Sequence, residues 1–301
     1  MEHVAAGEGP IALSVIVCTY NRCRKLERSL RAIASSMACG NLSAEIVVVD
    51  NNSRDETEAV VAEFAQSCPV PVRRVVERSQ GLSYARNRGI REAKGDIVAF
   101  TDDDCVVDPG WANAIAKEFA ENPEIMVVGG RVDLYTPEDK PVTIRPIDER
   151  MRYSSTDQIY DHIIGANIAF RRGLVERIGW FDPALGGSRG ATADDIDFIY
   201  RALRSGAGVI FVPEVKVLHD HGRRTDEQVR TLQRGYVKGR GAFYCKHALR
   251  DREILKHLYW EMRSVAGRRD GNVAGLVAAH LRILASGALH LMLMRAGLLR
   301  D

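Results

Sequence analysis

The chain lacks the regular cysteine spacing of a zinc-binding or disulfide-stabilised domain. Such domains depend on closely or regularly spaced cysteines, whereas no Cys-x-x-Cys pair occurs in this sequence. The six cysteines are Cys18, Cys23, Cys39, Cys68, Cys105 and Cys245. Residues 1–10 contain Glu2 and Glu8 and no apolar core segment, so a secretory signal is not expected. A reducing, cytoplasmic compartment fits these absences best.

The sequence also lacks the glycine-rich motifs of common nucleotide sites and a long uninterrupted apolar run. Residues 18–22, after the first predicted strand, match neither G-x-G-x-x-G nor G-x-x-x-x-G-K-[ST], which disfavours a dinucleotide Rossmann site and a P-loop. Residues 273–299 are largely apolar but contain His280, Arg282, His290 and Arg295. Because a spanning helix needs about 20 predominantly apolar residues, this segment is a poor candidate for one.

Charge is distributed unevenly along an otherwise ordinary globular composition. The 301 residues are 46% hydrophobic and 27% charged, enough to bury one large core or two modest ones. Residues 1–218 carry 26 Lys and Arg against 32 Asp and Glu, whereas residues 219–301 carry 16 against 8. The basic tail indicates either a polyanionic partner, such as an anionic membrane surface or a phosphate-bearing acceptor, or a solvated helical face.

Strand and helix patterns alternate over the first 130 residues. Predicted strands cover residues 13–17, 45–49, 72–76, 96–101 and 126–128, and predicted helices cover 24–35, 55–66, 82–93 and 110–121. Ser53 is placed to cap the second helix. Short loops between such elements predict an α/β fold with a mainly parallel central sheet flanked by helices. Ligands of these sheets bind beyond the carboxyl ends of the strands.

Three consecutive carboxylates, Asp102, Asp103 and Asp104, follow the fourth predicted strand. Like charges this close repel each other, so either they spread into solvent as a turn or a bound cation compensates them. Mg²⁺ and Mn²⁺ favour oxygen ligands and typically combine one or two carboxylates with phosphate oxygens. The triplet therefore indicates either diphosphate chemistry or an acidic surface turn.

The loop after the second strand and the start of the third helix also carry polar side chains. Asp50 is placed to accept hydrogen bonds from a ribose or base, although Asp and Asn are also common in helix-entry turns. Residues 81–89, which include Arg86, are small and basic and suit the space beneath a nucleotide, unless their arginines are merely solvated.

Several ordered segments resemble family 2 glycosyltransferases with the GT-A fold. The segments are Ser14–Arg22 (SVIVCTYNR), Val47–Ser53 (VVVDNNS), Ala85–Gly89 (ARNRG), Phe100–Asp104 (FTDDD), Gly165–Arg171 (GANIAFR), Gly179–Gly186 (GWFDPALG) and Asp194–Asp197 (DDID). The resemblance covers residues 12–222. It implies an inverting transfer of a sugar from a nucleoside diphosphate sugar to an acceptor hydroxyl, assisted by Mn²⁺ or Mg²⁺.

The same resemblance implies roles for individual residues on the donor side. Thr19, Asn21, Arg22 and Arg86 would line the nucleotide pocket, and Asp50 would contact the base or ribose. Asp102 and Asp103 would lie on the ribose and diphosphate side. Asp104 would be the main metal ligand. His219 or His221, two residues apart after a predicted strand at 215–218, would complete the metal shell, and the spacing does not choose between them.

On the acceptor side, the resemblance implies that Asp195 is the catalytic base. Asp194 would help to bind the acceptor, although it stands where the family usually has the longer Glu. Asp197 is expected to be structural or an acceptor contact, and Trp180 to stack on a sugar ring or to pack in the core. A helix is predicted over residues 198–204, directly after this acidic cluster. Residues 192–195 also read as a helix start, where acids complement the helix dipole.

The last third of the chain is less informative. Residues 225–248 contain glycines among basic residues and indicate either an approach to a phosphate-bearing acceptor or a broken helix. In residues 273–299 a helical projection places Leu281, Leu284, Ala288 and Met292 on one face, opposite Arg282, Ser286 and His290. Such a helix suits a membrane interface, the catalytic domain or a second subunit.

The sequence thus predicts a tail at 1–11, a GT-A catalytic domain at 12–222 and a basic helical extension at 223–301. Within the domain, residues 12–130 would form the nucleotide half and 131–222 the acceptor half. The expected partners are a nucleoside diphosphate sugar, a glycan or lipid-linked acceptor and an anionic membrane surface, with no nucleic acid. The resemblance favours envelope or exopolysaccharide synthesis at the cytoplasmic face of the inner membrane. A non-catalytic nucleotide-sugar-binding module and a methyltransferase are the alternatives.

Overall fold

The computed structural model describes residues 11–38, 42–156, 163–186, 191–248, 250–266 and 273–296, so the predicted tail lies outside these ranges except for its last residue. Its strands are β1 (Leu13–Thr19), β2 (Ala44–Asp50), β3 (Val72–Val76), β4 (Ile97–Asp102), β5 (Cys105–Val107), β6 (Ile125–Leu134), β7 (Met151–Tyr153), β8 (Asn167–Arg171) and β9 (Gly208–His219). Its helices are α1 (Cys23–Ala38), α2 (Thr57–Ser67), α3 (Leu82–Glu92), α4 (Trp111–Glu121), α5 (Leu174–Ile178), α6 (Asp194–Arg204), α7 (Asp226–His247), α8 (Glu253–Ala266) and α9 (Val273–Arg295).

The strands described form one sheet in the order β3-β2-β1-β4-β8-β6-β9-β5, with β7 beside β9. Strands β1 to β4 are parallel to one another, as the alternating pattern predicts, and their carboxyl ends meet at one edge. Beyond β4 the sheet is mixed: β8 is antiparallel to β4 and β6, while β6 and β9 are parallel. The α/β class is confirmed, and the parallel arrangement is concentrated in the half formed by β1–β4.

Successive residues of the central strands point to opposite faces of the sheet, and both faces are covered. On β1, Val15 and Val17 pack with α1 and α4, whereas Ile16 packs with α3 on the other side. The second face contains an aromatic cluster in which the rings of Phe181 and Phe198 stack at 4.4 Å. Burial on both faces explains why β1 and β2 read as continuous apolar runs.

Two expectations for helix ends need correction. The second helix begins at Thr57 rather than Asp55, and Ser53 does not cap it. The Oγ atom of Ser53 instead accepts the backbone N–H of Asn21 at 3.0 Å, which ties together the loops after β1 and β2. The acids at 194–197 do not precede a helix at 198 but form the first turn of α6.

Helix α7 runs without a break, although its glycines left that possibility open in the sequence. It begins with a capping box in which Thr225 and Gln228 exchange hydrogen bonds between side chain and backbone. The backbones of α7 and α9 lie close together at two glycines. A Cβ added at Gly287 of α9 would lie only 2.1 Å from the carbonyl carbon of Gly241 in α7. Helices α7 and α9, both in the predicted extension at 223–301, therefore pack backbone to backbone.

Helix α9 does not divide into the buried and exposed faces that its helical projection suggested. His290 is buried and donates to the carbonyl of Ala184 at 2.8 Å, so it does not belong to an exposed polar face. Leu281, Leu289 and Met292 are more than half exposed instead. Among the described residues, no helix combines the length and apolar character needed to cross a membrane.

Candidate active site

A cleft of about 700 Å³ lies over the edge where the carboxyl ends of β1, β2 and β4 meet. One side is lined by the loops after these strands. The other is lined by residues 163–166, the start of α6, the end of β9 and one face of α7. The open-sheet geometry thus gathers polar side chains from segments far apart in sequence.

The three consecutive aspartates lie on the floor of this cleft rather than in an exposed turn. Asp103 and Asp104 are almost fully buried, and the Nη1 atom of Arg22 lies 3.1 Å and 2.8 Å from their respective carboxylates. Asp103 also accepts the hydroxyl of Thr19 at 2.8 Å. Burial raises the pKa of Asp103 to about 6, although Arg22 opposes the shift. The acidic surface-turn alternative is therefore wrong.

Ligand atoms of Asp102, Asp104, Cys105 and His219 lie within 4.8 Å of one another. The Oδ1 atom of Asp104 is buried, lies 3.2 Å from Nε2 of His219 and makes no well-aligned hydrogen bond. Burial opposes ionisation of Asp104, but His219 and Arg22 outweigh it and lower its pKa to about 2. Burial raises the pKa of Cys105 far above its ordinary value, which makes the thiol a poor ligand. Two carboxylates and one imidazole remain, a set that fits Mn²⁺ or Mg²⁺.

At the start of α6, two adjacent aspartates have different surroundings. Asp194 is buried and paired with the guanidinium of Arg86, which packs over the ring of Phe181 at 5.3 Å. Burial raises the pKa of Asp194 to about 6, against the opposing charge of Arg86. Asp195 is half-buried and lines the cleft. Its Oδ2 atom accepts the backbone N–H of Gly165 at 2.8 Å, which fixes the carboxylate without neutralising it.

Asp197 faces away from the cleft, although it is only two residues further along the helix. It is fully buried, and its carboxylate accepts hydrogen bonds from Arg201, Lys246 and His247 at 2.8–2.9 Å. Burial opposes ionisation, but the hydrogen bond from His247 and the charges of Arg201 and Lys246 outweigh it and hold the pKa of Asp197 well below its ordinary value. The expected acceptor contact is therefore wrong, and the residue joins α6 to the end of α7.

The structure places nine of the predicted site residues in the cleft. They are Thr19, Arg22, Arg86, Asp102, Asp103, Asp104, Asp194, Asp195 and His219. His221 is outside both the cleft lining and the group around Asp104, and its Nδ1 atom accepts the backbone N–H of Arg223 at 3.0 Å. Of the two histidines left open by the sequence, His219 is thus the one beside the acidic triplet.

Three further predicted residues lie outside the cleft lining, each for a physical reason. Asp50 forms an ion pair with Arg74 at 2.8 Å, so its carboxylate is occupied. Asn21 adopts a left-handed conformation with φ 53° and bonds the loop after β2 through Arg54. Trp180 is 41% exposed and lies against Arg91, with the guanidinium 4.9 Å from the ring centroid. Their expected contacts with substrate are not supported.

Sequence reasoning missed several residues of the cleft. Asn51, next to Asp50, takes the cleft position, and its Oδ1 atom accepts the N–H of Gly81 at 2.7 Å. Arg145, Arg223 and Tyr236 also line the cleft. The basic, glycine-containing sequence at 225–248 was the one indication that α7 contributes to the cleft. The loop carrying Arg145 gave no signal, because no regular pattern surrounds it.

Comparison with known proteins agrees with this geometry. Residues 14–179, more than half of the chain, match the model of glycosyl transferase family 2. Glucosyl-dolichyl phosphate glucuronosyltransferase of Haloferax volcanii is 27% identical over 217 residues, 69% of this chain and 68% of that protein. Chondroitin synthase of Pasteurella multocida is 25% identical over 229 residues, which are 65% of this chain but only 23% of that much longer protein.

Solved structures share the fold at lower sequence identity. Mannosyltransferase PcManGT of Pyrobaculum calidifontis, in complex with GDP-Man and Mn²⁺, superposes with a TM-score of 0.63 at 22% identity, covering 97% of this chain and 80% of that one. S. aureus TarS in complex with UDP-GlcNAc gives a TM-score of 0.59 at 18% identity, covering 93% and 72%. The predicted GT-A fold is confirmed.

Proposed function

The chain belongs to family 2 of the glycosyltransferases and is an inverting glycosyltransferase, and we propose that it transfers sugar from a nucleoside diphosphate sugar in a metal-dependent reaction. The observation that carries this proposal is the grouping of Asp102, Asp104 and His219 in the same cleft as Asp195. Membership of the family removes the methyltransferase alternative and leaves no observation in favour of a non-catalytic module.

On the donor side, Asp102, Asp104 and His219 would hold Mn²⁺ or Mg²⁺, which stabilises charge on a departing nucleoside diphosphate. Arg22 contacts two of the three aspartates, and its side chain is half-exposed and lines the cleft. Its guanidinium could therefore form an ion pair with a donor phosphate instead. Thr19 fixes Asp103 from β1. The relatives solved with GDP-Man and Mn²⁺ and with UDP-GlcNAc support a donor of this class.

On the acceptor side, Asp195 is the proposed base. An acceptor hydroxyl must lose its proton as it attacks the anomeric carbon, which requires a positioned and ionised carboxylate. Asp195 is accessible from the cleft and is held by the N–H of Gly165, whereas neighbouring Asp194 is occupied by Arg86. The ion pair of Asp194 and Arg86 therefore has a structural role next to the base.

We further propose a lipid-linked acceptor in envelope or exopolysaccharide synthesis at the cytoplasmic face of a membrane. Two observations support this. The Haloferax relative has a name that specifies a glucosyl-dolichyl phosphate. Helix α9 exposes Leu281, Leu289 and Met292 in a chain whose residues 219–301 are basic, which suits a peripheral contact with anionic lipid.

The test of catalysis is Asp195→Asn. We expect loss of sugar transfer by at least 100-fold with metal-dependent nucleotide binding unchanged, because general-base catalysis typically contributes about 10²–10⁴-fold. Transfer to a panel of lipid-linked and free glycans is measured with radiolabelled donor. Asp96→Asn, which alters a highly exposed aspartate, is the matched control. Full transfer by Asp195→Asn would contradict the assignment of the base.

A further inference from the structure

Helix α7 builds a wall of the cleft that lies outside the residues matched by the family model. Leu232, Tyr236 and Arg240 are spaced four residues apart, so they share one face of the helix, and all three line the cleft. Arg234 on the same helix is exposed and outside the cleft lining. Only this one face of α7 forms the wall, and basic residues elsewhere on the helix do not contribute to it.

This wall is held beside the catalytic base by close backbone packing. The carbonyl of Gly235 accepts the N–H of Thr192 at 3.4 Å. A Cβ at Gly239 would lie 2.5 Å from the carbonyl oxygen of Thr192, so only glycine fits there. Thr192 is three residues before Asp195. The backbone of α7 thus contacts Thr192 at both glycines, and the residues next to them, Tyr236 and Arg240, line the cleft near the segment that carries the base.

The arginines of the cleft fall into two groups. Arg22 and Arg86 are paired with aspartates of the floor and of α6. Arg145 and Arg223 also line the cleft, and no carboxylate partner is seen for either of them among the described residues. The Nε atom of Arg145 and the hydroxyl of Thr192 are buried and bond no described group. This part of the cleft lining, the arginine wall, therefore carries two buried donors without described partners and the positive charge of Arg145 and Arg223.

Tyr236 lies among these groups as a neutral donor. Burial and the carboxylate of Asp195 raise its pKa to about 12, while Arg223 and Arg145 oppose the shift. The phenol stays protonated at physiological pH and faces both the base and the arginine wall. A phenol beside guanidinium groups is a combination suited to phosphate oxygens.

We propose that Arg240 and Tyr236 bind a phosphate carried by the acceptor, next to the hydroxyl that Asp195 deprotonates. This inference rests on the proposed function and specifies its acceptor as a phosphate-bearing molecule. In this proposal the acceptor phosphate lies beside Thr192 and Asp195, whereas the donor diphosphate lies at the cation site of Asp104 and His219. Arg145 and Arg223 line the same cleft and add positive charge to it.

Calorimetric titration of phenyl phosphate into the full chain tests the proposal, with phenol as the neutral probe. The protein is first saturated with Mg²⁺ and the nucleoside diphosphate that it binds, and the titration is repeated without nucleotide. We expect phenyl phosphate to bind in both cases and phenol not to bind. Arg240→Gln should weaken binding at least tenfold, because a charge-assisted hydrogen bond contributes enough free energy for such a factor. Tyr236→Phe should weaken it less, and Arg234→Gln should leave it within twofold.

Three results would overturn the proposal. They are no binding of phenyl phosphate to the wild type, equal binding by Arg240→Gln and Arg234→Gln, and loss of binding when nucleotide saturates the protein. The third would assign the wall to the donor diphosphate. Failure of every nucleotide to bind would instead contradict the proposed function, while the titration without nucleotide still tests the wall. Thermal unfolding of each variant shows that the fold is retained.

Discussion

At the residue scale, Asp195 and Asp197 lie two residues apart on the first turn of α6 but have different surroundings and therefore different roles. Asp195 lines the cleft and is held by two backbone N–H groups, those of Gly165 and Ile196. Asp197 points into the body and accepts hydrogen bonds from Arg201, Lys246 and His247, the last two at the end of α7. The first arrangement leaves a carboxylate available to a substrate, and the second makes it a structural anchor.

Replacing Asp197 should destabilise the fold in a pH-dependent manner. Asp197 is fully buried, and Asp197→Asn removes the counter-charge of Arg201 and one of the two carboxylate partners of Lys246, which also pairs with Asp182. We expect a loss of about 3 kcal/mol in the free energy of unfolding at pH 7. The folded-state pKa of Asp197 is lowered, so its stabilising contribution is full above the ordinary value of 3.8 and is lost as pH falls toward the folded value. Urea unfolding at pH 7 and pH 3 should therefore show a smaller difference between wild type and variant at pH 3. A difference that stays constant with pH would count against the ion network.

At the element scale, α7 is fixed by close contacts of its backbone rather than by a broad apolar face. Gly239 lies against the backbone of Thr192, and Gly241 lies against α9 at Ile283 and Gly287. The same helix contributes Lys246 and His247 to the network around Asp197. Its position is thereby coupled to the helix that carries the base.

Gly239→Ala should disturb this docking. The added methyl group would meet a backbone carbonyl, which cannot move aside as a side chain does, and we expect about 1–3 kcal/mol of destabilisation together with reduced transfer. Gly173→Ala is the control, because nothing lies within 4 Å of the position that its added methyl group would take and its φ of −62° suits any residue. Urea unfolding and transfer assays on both variants check the expectation. Equal behaviour of the two variants would show that α7 is not tightly docked.

The elements differ in how far the sequence could predict them. Strands β1, β2 and β4 are continuous apolar runs followed by polar loops, so both their existence and the shared edge were predictable. Strands β5 and β7 have three residues each, too few to give a periodic signal. Asp50 does not have its expected role because it forms an ion pair with Arg74 on the neighbouring strand β3. Which residues of β2 and β3 face each other depends on the register of the two strands, which the sequence does not give. Tyr236 and Arg145 reach the cleft only through tertiary packing.

At the scale of the whole molecule, the donor side, the base and the α7 wall form a single cleft, while α9 exposes an apolar face elsewhere. We expect the triple variant Leu281→Ser, Leu289→Ser, Met292→Ser to lose flotation with anionic liposomes, because it removes the apolar surface available for interfacial insertion. Wild-type flotation should fall with added salt as the basic tail is screened. Val76→Ser, at an exposed position on β3, serves as the control. Absence of wild-type binding to anionic vesicles would contradict the membrane proposal without affecting the catalytic one.

The most direct test of metal-dependent donor binding is calorimetric titration of UDP, GDP and dTDP into the wild type and Asp104→Asn, with Mn²⁺ or with EDTA. The account predicts that one nucleotide binds in Mn²⁺, that EDTA abolishes binding and that Asp104→Asn weakens it at least tenfold, since even indirect support of a metal ligand typically contributes about that factor. Asp96→Asn should bind as the wild type does. Nucleotide binding that is equally tight in EDTA, or unaffected by Asp104→Asn, would contradict the assignment of Asp102, Asp104 and His219 as the metal site.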